Sequence, residues 1–541
     1  MPYSSLSGMV METKLLDAII IGSGFGGSVH ACRLAQSGFK VVVLERGRRW
    51  KPEEYPRDLG DAWVYDIDEP QRQNGWIDFR FFDDMWVAQG AGVGGGSLIY
   101  ANVFIDAKEQ IFESGWPSDI NYKTLKPYYA KAEQMINPEK IPENQLTPRY
   151  KLMQEAAKKT GAADRFEKLD LAISFDPNGK FPDELPDPEV AEKTFINKYG
   201  RKQGYCIHAG NCDIGCKAQA KNTLDLNYLA VAETHGAEIK PLSYVSHIVQ
   251  EGDQYAVIYF DIANRKKIEK TIRAKRVILS AGSLGSTEIL FRSRDKFKTL
   301  PNISKALGEN WSSNGDFLTP AIYENRKLSP TFGPTITAAI DYLDGSDANA
   351  QYFVEDGGFP DVIGNFLKAR RKSKRGFSLI DFIFARVIKW QYDGDIFENM
   401  MPWFGQAIDG GDGRLYYGRD FLRPWKKRLK LDWDPKRSER GINGLINAHK
   451  RLSEATDGKP MVPRIWTVLR NLVTPHPLGG CGMAAAPAKG VVNSQGEVFG
   501  YPGLYVSDGS IFPRPIGLNP SKTITALAER NVELLLKDMR K

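Results

Sequence analysis

With 541 residues, 42% of them hydrophobic, the chain is long enough for two or three packed domains. Its formal net charge of +7 is mixed in sign along the chain, so no concentrated basic face points to a nucleic-acid partner. Five unevenly placed cysteines argue against a disulfide framework and for a reducing compartment.

The first residues, MPYSSLSGMVMETK, lack the basic and apolar regions of a secretory signal, and no run reaches the roughly 18 apolar residues that span a bilayer. A cytoplasmic protein is expected, soluble or peripheral on the inner face of the membrane. The stretch DAIIIGSGFGGSVHACRLAQSGFKVVVLERG predicts a strand over Ala18–Ile21, a glycine turn, a helix to about Ser37 stopped by Gly38, and a strand over Lys40–Leu44. Gly22 permits the tight turn, Gly24 lets a pyrophosphate approach the backbone, and Gly27 lets helix and strand pack closely. Phe25 and Gly26 stand at the helix start, whose free N–H groups suit phosphate. Glu45, at the end of the second strand, is placed for ribose hydroxyls. This is a dinucleotide-binding unit, which could serve NAD or FAD.

A second glycine cluster, QGAGVGGGSLIYANV, follows. Six of the eight residues Gly90–Ser97 are Gly or Ser, which suits close backbone approach to an anion or a flat ring. Gly90, Gly92, Gly95, Gly96, Ser97, Tyr100 and Asn102 are the candidate contacts here. Cys206, Cys212 and Cys216 are spaced C-x5-C-x3-C. Thiolates at this density suit an Fe–S cluster or zinc, with His208 the nearby fourth ligand for zinc; the plainer reading is a cysteine-rich loop without metal. Val277–Ser280 predicts a buried strand running into a turn at Ala281 and Gly282 and then a helix.

In AQYFVEDGGFP the alternation of Tyr352 and Val354 predicts a strand with Glu355 near its end. The basic run Arg370–Arg375 then precedes an aromatic-rich stretch to Trp390. Residues 370–390 read either as a core helix behind a solvated loop or as a peripheral membrane contact. MPWFGQAIDGGDGRLYYGR with LKLDW predicts strand–turn–strand in a sheet walling a substrate cavity. His476 stands in a Gly-rich loop between two prolines, a poor place for a core histidine and a good one for proton chemistry. The last segment predicts a strand over Leu504–Ser507, a turn at Asp508 and Gly509, and a helix from about Pro520 with Asn519 as its N-cap.

The motifs GSGFGG, GAGVGGGSLIYAN, LSAGSLGSTEIL, HPLGGCGM and LYVSDGSIFPRPIGLNPSKTITALAERN, in this order, resemble the glucose-methanol-choline (GMC) oxidoreductases, above all the bacterial cholesterol oxidase branch. The resemblance implies an α/β fold with a Rossmann-like FAD-binding domain on a central parallel sheet. A second, α+β substrate domain would be built on a mostly antiparallel sheet. Residues 1–110, 224–320 and 473–541 would form the FAD domain, and 111–223 and 321–472 the substrate domain. It implies non-covalent FAD, because no histidine lies between His30 and His208 to serve the attachment route some members use. Val245 and Pro520 join the expected cofactor contacts. The implied catalytic residues are His476, Asn519 (holding substrate oxygen or the flavin edge) and Glu355 as a base from the substrate domain. The implied reaction is oxidation of an apolar alcohol, sterol-like, terpenoid or long-chain, to the carbonyl, with O2 or an external acceptor taking the electrons. Two alternatives stand beside it: a dehydrogenase with a [3Fe–4S] cluster on Cys206, Cys212 and Cys216, as certain GMC sugar dehydrogenases carry, and a flavoprotein that binds ligand without turnover.

Overall fold

The computed structural model describes residues 15–58, 60–182, 189–362, 397–420, 425–463, 466 and 471–540. The strands Leu16–Ile21 and Val41–Leu44 pair in parallel and are joined by the helix Phe25–Gln36. Ala18–Ile21 and all of Val41–Leu44 are buried, the continuous apolar pattern of strands covered on both faces. Glu238–Lys240 adds in parallel outside Val41–Leu44, Ile268–Leu279 on the other side of Leu16–Ile21, and Leu504–Val506 beyond it. The result is the expected central parallel sheet. The first half of Ile268–Leu279 also pairs antiparallel with Gln254–Asp261, which pairs with Ser243–Glu251.

A second sheet of six strands runs in the order 459–460, 317–322, 400–407, 352–356, 338–341, 166–168, antiparallel throughout. The helix Glu439–Ala455 covers it with Ile442, Leu445, Ile446, His449 and Leu452, spaced for one helical face. The strand Phe317–Ile322 spans the expected break at residue 320 and pairs within this sheet. The strand–turn–strand expectation is corrected in its pairing. Met400–Ala407 is a central strand here, whereas Arg414–Arg419 pairs with Lys427–Asp432 in a separate hairpin. A three-stranded sheet joins Ile77–Phe81, Met85–Gly90 and Leu472–Thr474, which carries the loop at His476 to the second glycine cluster. Residues 370–390, expected as core helix or membrane contact, lie outside the described residues. Among the described residues no helix is long and apolar enough to cross a membrane.

Candidate active site

A cavity of about 490 Å³ lies between the carboxyl ends of the parallel strands and the second sheet. Gly22, Glu45 and Ser280 line one part, Leu318, Ile336 and Phe404 another. This is the crevice position at which open α/β sheets take ligands.

The glycine cradle is built by close backbone contacts. Gly22 has φ +97°, and a Cβ there would stand 2.2 Å from the Ser280 carbonyl oxygen. Gly95 has φ +54°, and its Cβ would meet Gly24 Cα at 2.6 Å, so the two glycine clusters lie against each other. At Gly24 nothing comes within 4 Å of a Cβ; the space before it is open cavity. The helix Phe25–Gln36 has no side-chain cap and no acidic residue in its first turn, so its N-terminal N–H groups and positive dipole end are left for a ligand. Glu45, held by Ser23 N (3.0 Å), Ser23 Oγ (2.7 Å) and Gly47 N (2.9 Å), lines the same space. Burial pushes its carboxyl above the usual range. Asp508 accepts from Gly282 N at 2.9 Å and Ser510 N at 2.8 Å, also on the wall.

Of the residues expected around the cofactor, Gly27, Gly92, Ser97 and Asn102 stand behind the wall and the others line it. Gly27 and Gly92 are packing positions, their Cβ atoms blocked by Gly22 O at 2.1 Å and Trp50 Cδ1 at 2.6 Å. Ser97 Oγ donates to Gly94 O at 2.8 Å and accepts from Leu224 N at 3.1 Å. Asn102, with φ +69°, is buried with both side-chain amide atoms unpartnered in the protein.

Beyond Glu45 stands a charged cluster that sequence reasoning missed. Arg46 reaches Asp78 at 2.6 Å, Arg80 reaches Asp78 at 2.9 Å, and Arg292 reaches Glu288 at 3.1 Å. The signal was present in IDFRF, but inverted. Asp78 and Arg80 face inward, while Phe79 and Phe81 are exposed.

At the other end, His476 lines the cavity. Its Nδ1 lies 2.8 Å from Asp316 Oδ1. Thr474 Oγ1 reaches Asp316 Oδ2 at 2.5 Å and accepts from the His476 backbone N–H at 2.9 Å. Burial lowers the affinity of His476 for a proton, but the charge and hydrogen bond of Asp316, with Glu355, outweigh it and hold the imidazole above its ordinary range. Glu355 is fully buried on the strand Tyr352–Asp356, as is its neighbour Asp356. Glu355 Oε2 accepts from Gln406 Nε2 at 2.9 Å, and Oε1 has no protein partner. Burial pushes the carboxyl up to about 8, against smaller opposing effects of Gln406 and His476. Glu355 does not itself line the cavity, but Phe404, directly across the sheet from it, does.

Asn519 lines the cavity too, with its Oδ1 unpartnered. The helix starts at Ser521 with Pro520 at the N-cap, one residue later than expected. The Asn519 amide therefore caps nothing and is free for a ligand.

Arg149, fully buried, donates to the carbonyls of Phe332, Pro334, Thr335, Asp356 and Gly357 and pairs with Asp356 Oδ2 at 3.3 Å. It thereby ties together two loops of the cavity wall, which includes Thr335 and Gly357.

The structure shows no Fe–S site at the cysteine spacing. Cys206, Cys212 and Cys216 are free thiols, and among the described residues no group of three or more His, Cys, Asp or Glu is arranged to hold a metal ion. Burial pushes the Cys206 and Cys216 thiols up, which disfavours the thiolates a metal needs.

Two family models described as GMC oxidoreductase match residues 193–312 and 419–528, and an NAD(P)-binding Rossmann-like model matches 20–50. The chain is 32% identical to a cholesterol oxidase of Acinetobacter baumannii, over 96% of this chain and 94% of that one. It is 30% identical to a cholesterol oxidase of Mycobacterium tuberculosis, over 96% and 90%. A long-chain-alcohol oxidase of Arabidopsis thaliana is 23% identical over 96% of this chain and 67% of its own. Pyridoxine 4-oxidase from Mesorbium loti shares the fold, with a TM-score of 0.62 at 17% identity, over 96% of this chain and 99% of that one.

Proposed function

Because the chain belongs to the GMC oxidoreductase family, we propose that it oxidises an apolar alcohol, sterol-like or long-chain, to the carbonyl with O2 as electron acceptor. Membership makes it an FAD-dependent oxidoreductase acting on CH–OH groups. The residues present fit FAD. The open space before Gly24, the uncapped helix N-terminus and Glu45 suit its ADP half. Bound there, FAD supplies the hydride acceptor, flavin N5.

The observation that carries the reading is Glu355, a buried carboxyl with one unpartnered oxygen close enough to His476 for their charges to interact. A carboxyl held near 8 keeps its proton at neutral pH and takes a hydroxyl proton once ionised, so turnover should rise as pH approaches 8. Asn519 holds the alcohol oxygen through its amide, and His476 polarises the same oxygen from the wall. Leu318, Ile336 and Phe404 give the substrate an apolar bed and keep water from the reacting atoms.

The test is anaerobic bleaching of the flavin by a panel of sterols, long-chain alcohols, terpenoid alcohols and sugars, followed by reoxidation with O2 or an artificial acceptor. Bleaching by the apolar members and rapid recovery in O2 are expected. Bleaching by sugars alone overturns the substrate class, and recovery with the artificial acceptor alone overturns O2.

A further inference from the structure

We propose that Asp213, on the cysteine loop, is a second anchor for substrate, accepting a hydroxyl remote from the one oxidised and so selecting alcohols that carry two. This role rests on the alcohol-oxidising reading of the site and narrows its substrate class.

Asp213 keeps accessible surface and lines the cavity, as does Thr335. The Thr335 hydroxyl donates to Asp213 Oδ1 at 3.3 Å, a long bond. Among the described residues the carboxyl has no other hydrogen bond and no lysine or arginine in an ion pair with it. The backbone that carries it is held at four consecutive carbonyls. Lys221 Nζ donates to Cys212 O at 2.8 Å, Trp76 Nε1 to Asp213 O at 3.1 Å, and Arg57 to Ile214 O at 2.9 Å and Gly215 O at 2.6 Å. Gly215 has φ +94°, and a Cβ there would stand 2.6 Å from the Tyr55 ring. Lys221 also donates to Leu98 O at 2.9 Å, which ties the loop to the second glycine cluster. The carboxyl therefore meets the cavity on a fixed support, the condition for a preorganised binding group.

Burial pushes the Asp213 carboxyl up to about 6, against the charge of Lys221, so at neutral pH it is chiefly an acceptor-only carboxylate. Its ligand must then be a donor. Lys221, bonded to the adjoining carbonyl, already supplies positive charge there, which favours a neutral hydroxyl over an ammonium. Leu318, Ile336 and Phe404 line the same cavity, so the frame between the two hydroxyls is apolar. A monohydric alcohol filling the cavity would strip water from the carboxylate and return no hydrogen bond. A site built around a substrate hydroxyl rejects the analogue that lacks it.

The FAD-loaded protein is bleached anaerobically by α,ω-diols of increasing length and by monohydric alcohols of the same lengths, with a sterol and its side-chain-hydroxylated counterpart as a second pair. At the spacing that fits, the diol should exceed its monohydric partner by about tenfold to a hundredfold in the second-order rate of bleaching, the size of one buried hydrogen bond to a charged group and beyond the statistical advantage of two reactive ends. In Asp213→Leu the preference should vanish. Asp213→Asn, close in shape, should lose part of it and carries the test if Asp213→Leu does not fold. No preference in the wild type at any spacing, or an undiminished one in whichever variant folds, overturns the proposal. Binding is read separately, from the flavin absorbance change, using methyl ketones with and without a remote tertiary hydroxyl, a group with no hydride to give. The hydroxyl should tighten binding about tenfold or more in the wild type and not in Asp213→Leu. Equal binding of the two ketones by the wild type overturns the proposal. If no alcohol bleaches the wild type while this binding difference holds, the alcohol-oxidising reading fails and the Asp213 anchor stands.

Discussion

Replacing Glu355 with glutamine tests both the energetics and the chemistry of the buried carboxyl. Its folded-state value of about 8 stands above the ordinary 4.5 because burial penalises the charge. Between those values the folded chain keeps a proton that the unfolded chain has released. Stability is therefore greatest below 4.5, falls as pH rises through the window, and levels off above 8. The full difference corresponds to about 5 kcal/mol, an upper figure for one group. Glu355→Gln cannot titrate and keeps the bond to Gln406 available. Thermal unfolding of both proteins from pH 5 to 9 should show a stability advantage of the variant that grows with pH. The same variant should bleach flavin about a hundredfold or more slowly with alcohol, the size expected for a lost base. A gap that does not grow with pH refutes the burial argument, and a wild-type bleaching rate refutes the assignment of the base.

Gly24→Ala should fold normally yet bind FAD more weakly, because its methyl enters open cavity, whereas Gly26→Ala should destabilise the fold, its Cβ standing 1.6 Å from Ser507 O. Flavin content and thermal midpoint, measured together, separate the two effects. Arg149→Met should cost about 3 kcal/mol or more in denaturant unfolding, because it strands Asp356 and several carbonyls. Arg149→Lys should not restore it, since one ammonium cannot reach the same set. Protein purified anaerobically should contain no iron and show flavin bands alone; stoichiometric iron lost in Cys212→Ser would instead establish a cluster on the cysteine loop.

The nucleotide end was legible because its demands are local. Gly22 and Gly27 are dictated by contacts within one strand–turn–helix unit and its immediate neighbours, and Gly24 borders the open cavity beside them. The strand under Glu355 was legible from alternation, but not its burial. Asp356 can be buried because Arg149 meets it from a distant helix, a pairing no local pattern carries. Asp316 escaped for the same reason, since its partner lies far along the chain at His476. The cysteine spacing was visible, but spacing does not say whether thiols converge on a point. Ile77–Phe81 misleads because its charges serve the cavity and its aromatics face out.

The cradle opened by the first fifty residues is finished by the last forty. Leu504–Val506 completes the sheet, Ser507 O takes the Ser280 hydroxyl, and Asp508 takes Gly282 N. Glu529 of the last helix then receives Arg33 of the first at 2.6 Å and the Tyr228 hydroxyl at 2.7 Å. During synthesis, therefore, the glycine turn emerges early but must wait for residues 504–530 before it has a floor. Until then one edge of Val277–Leu279 and the face of the first helix that meets the last one have no covering. Because Gly22 and Glu45 share the cavity wall with Asp508 and Asn519, the cofactor site is whole only when both ends of the chain have met.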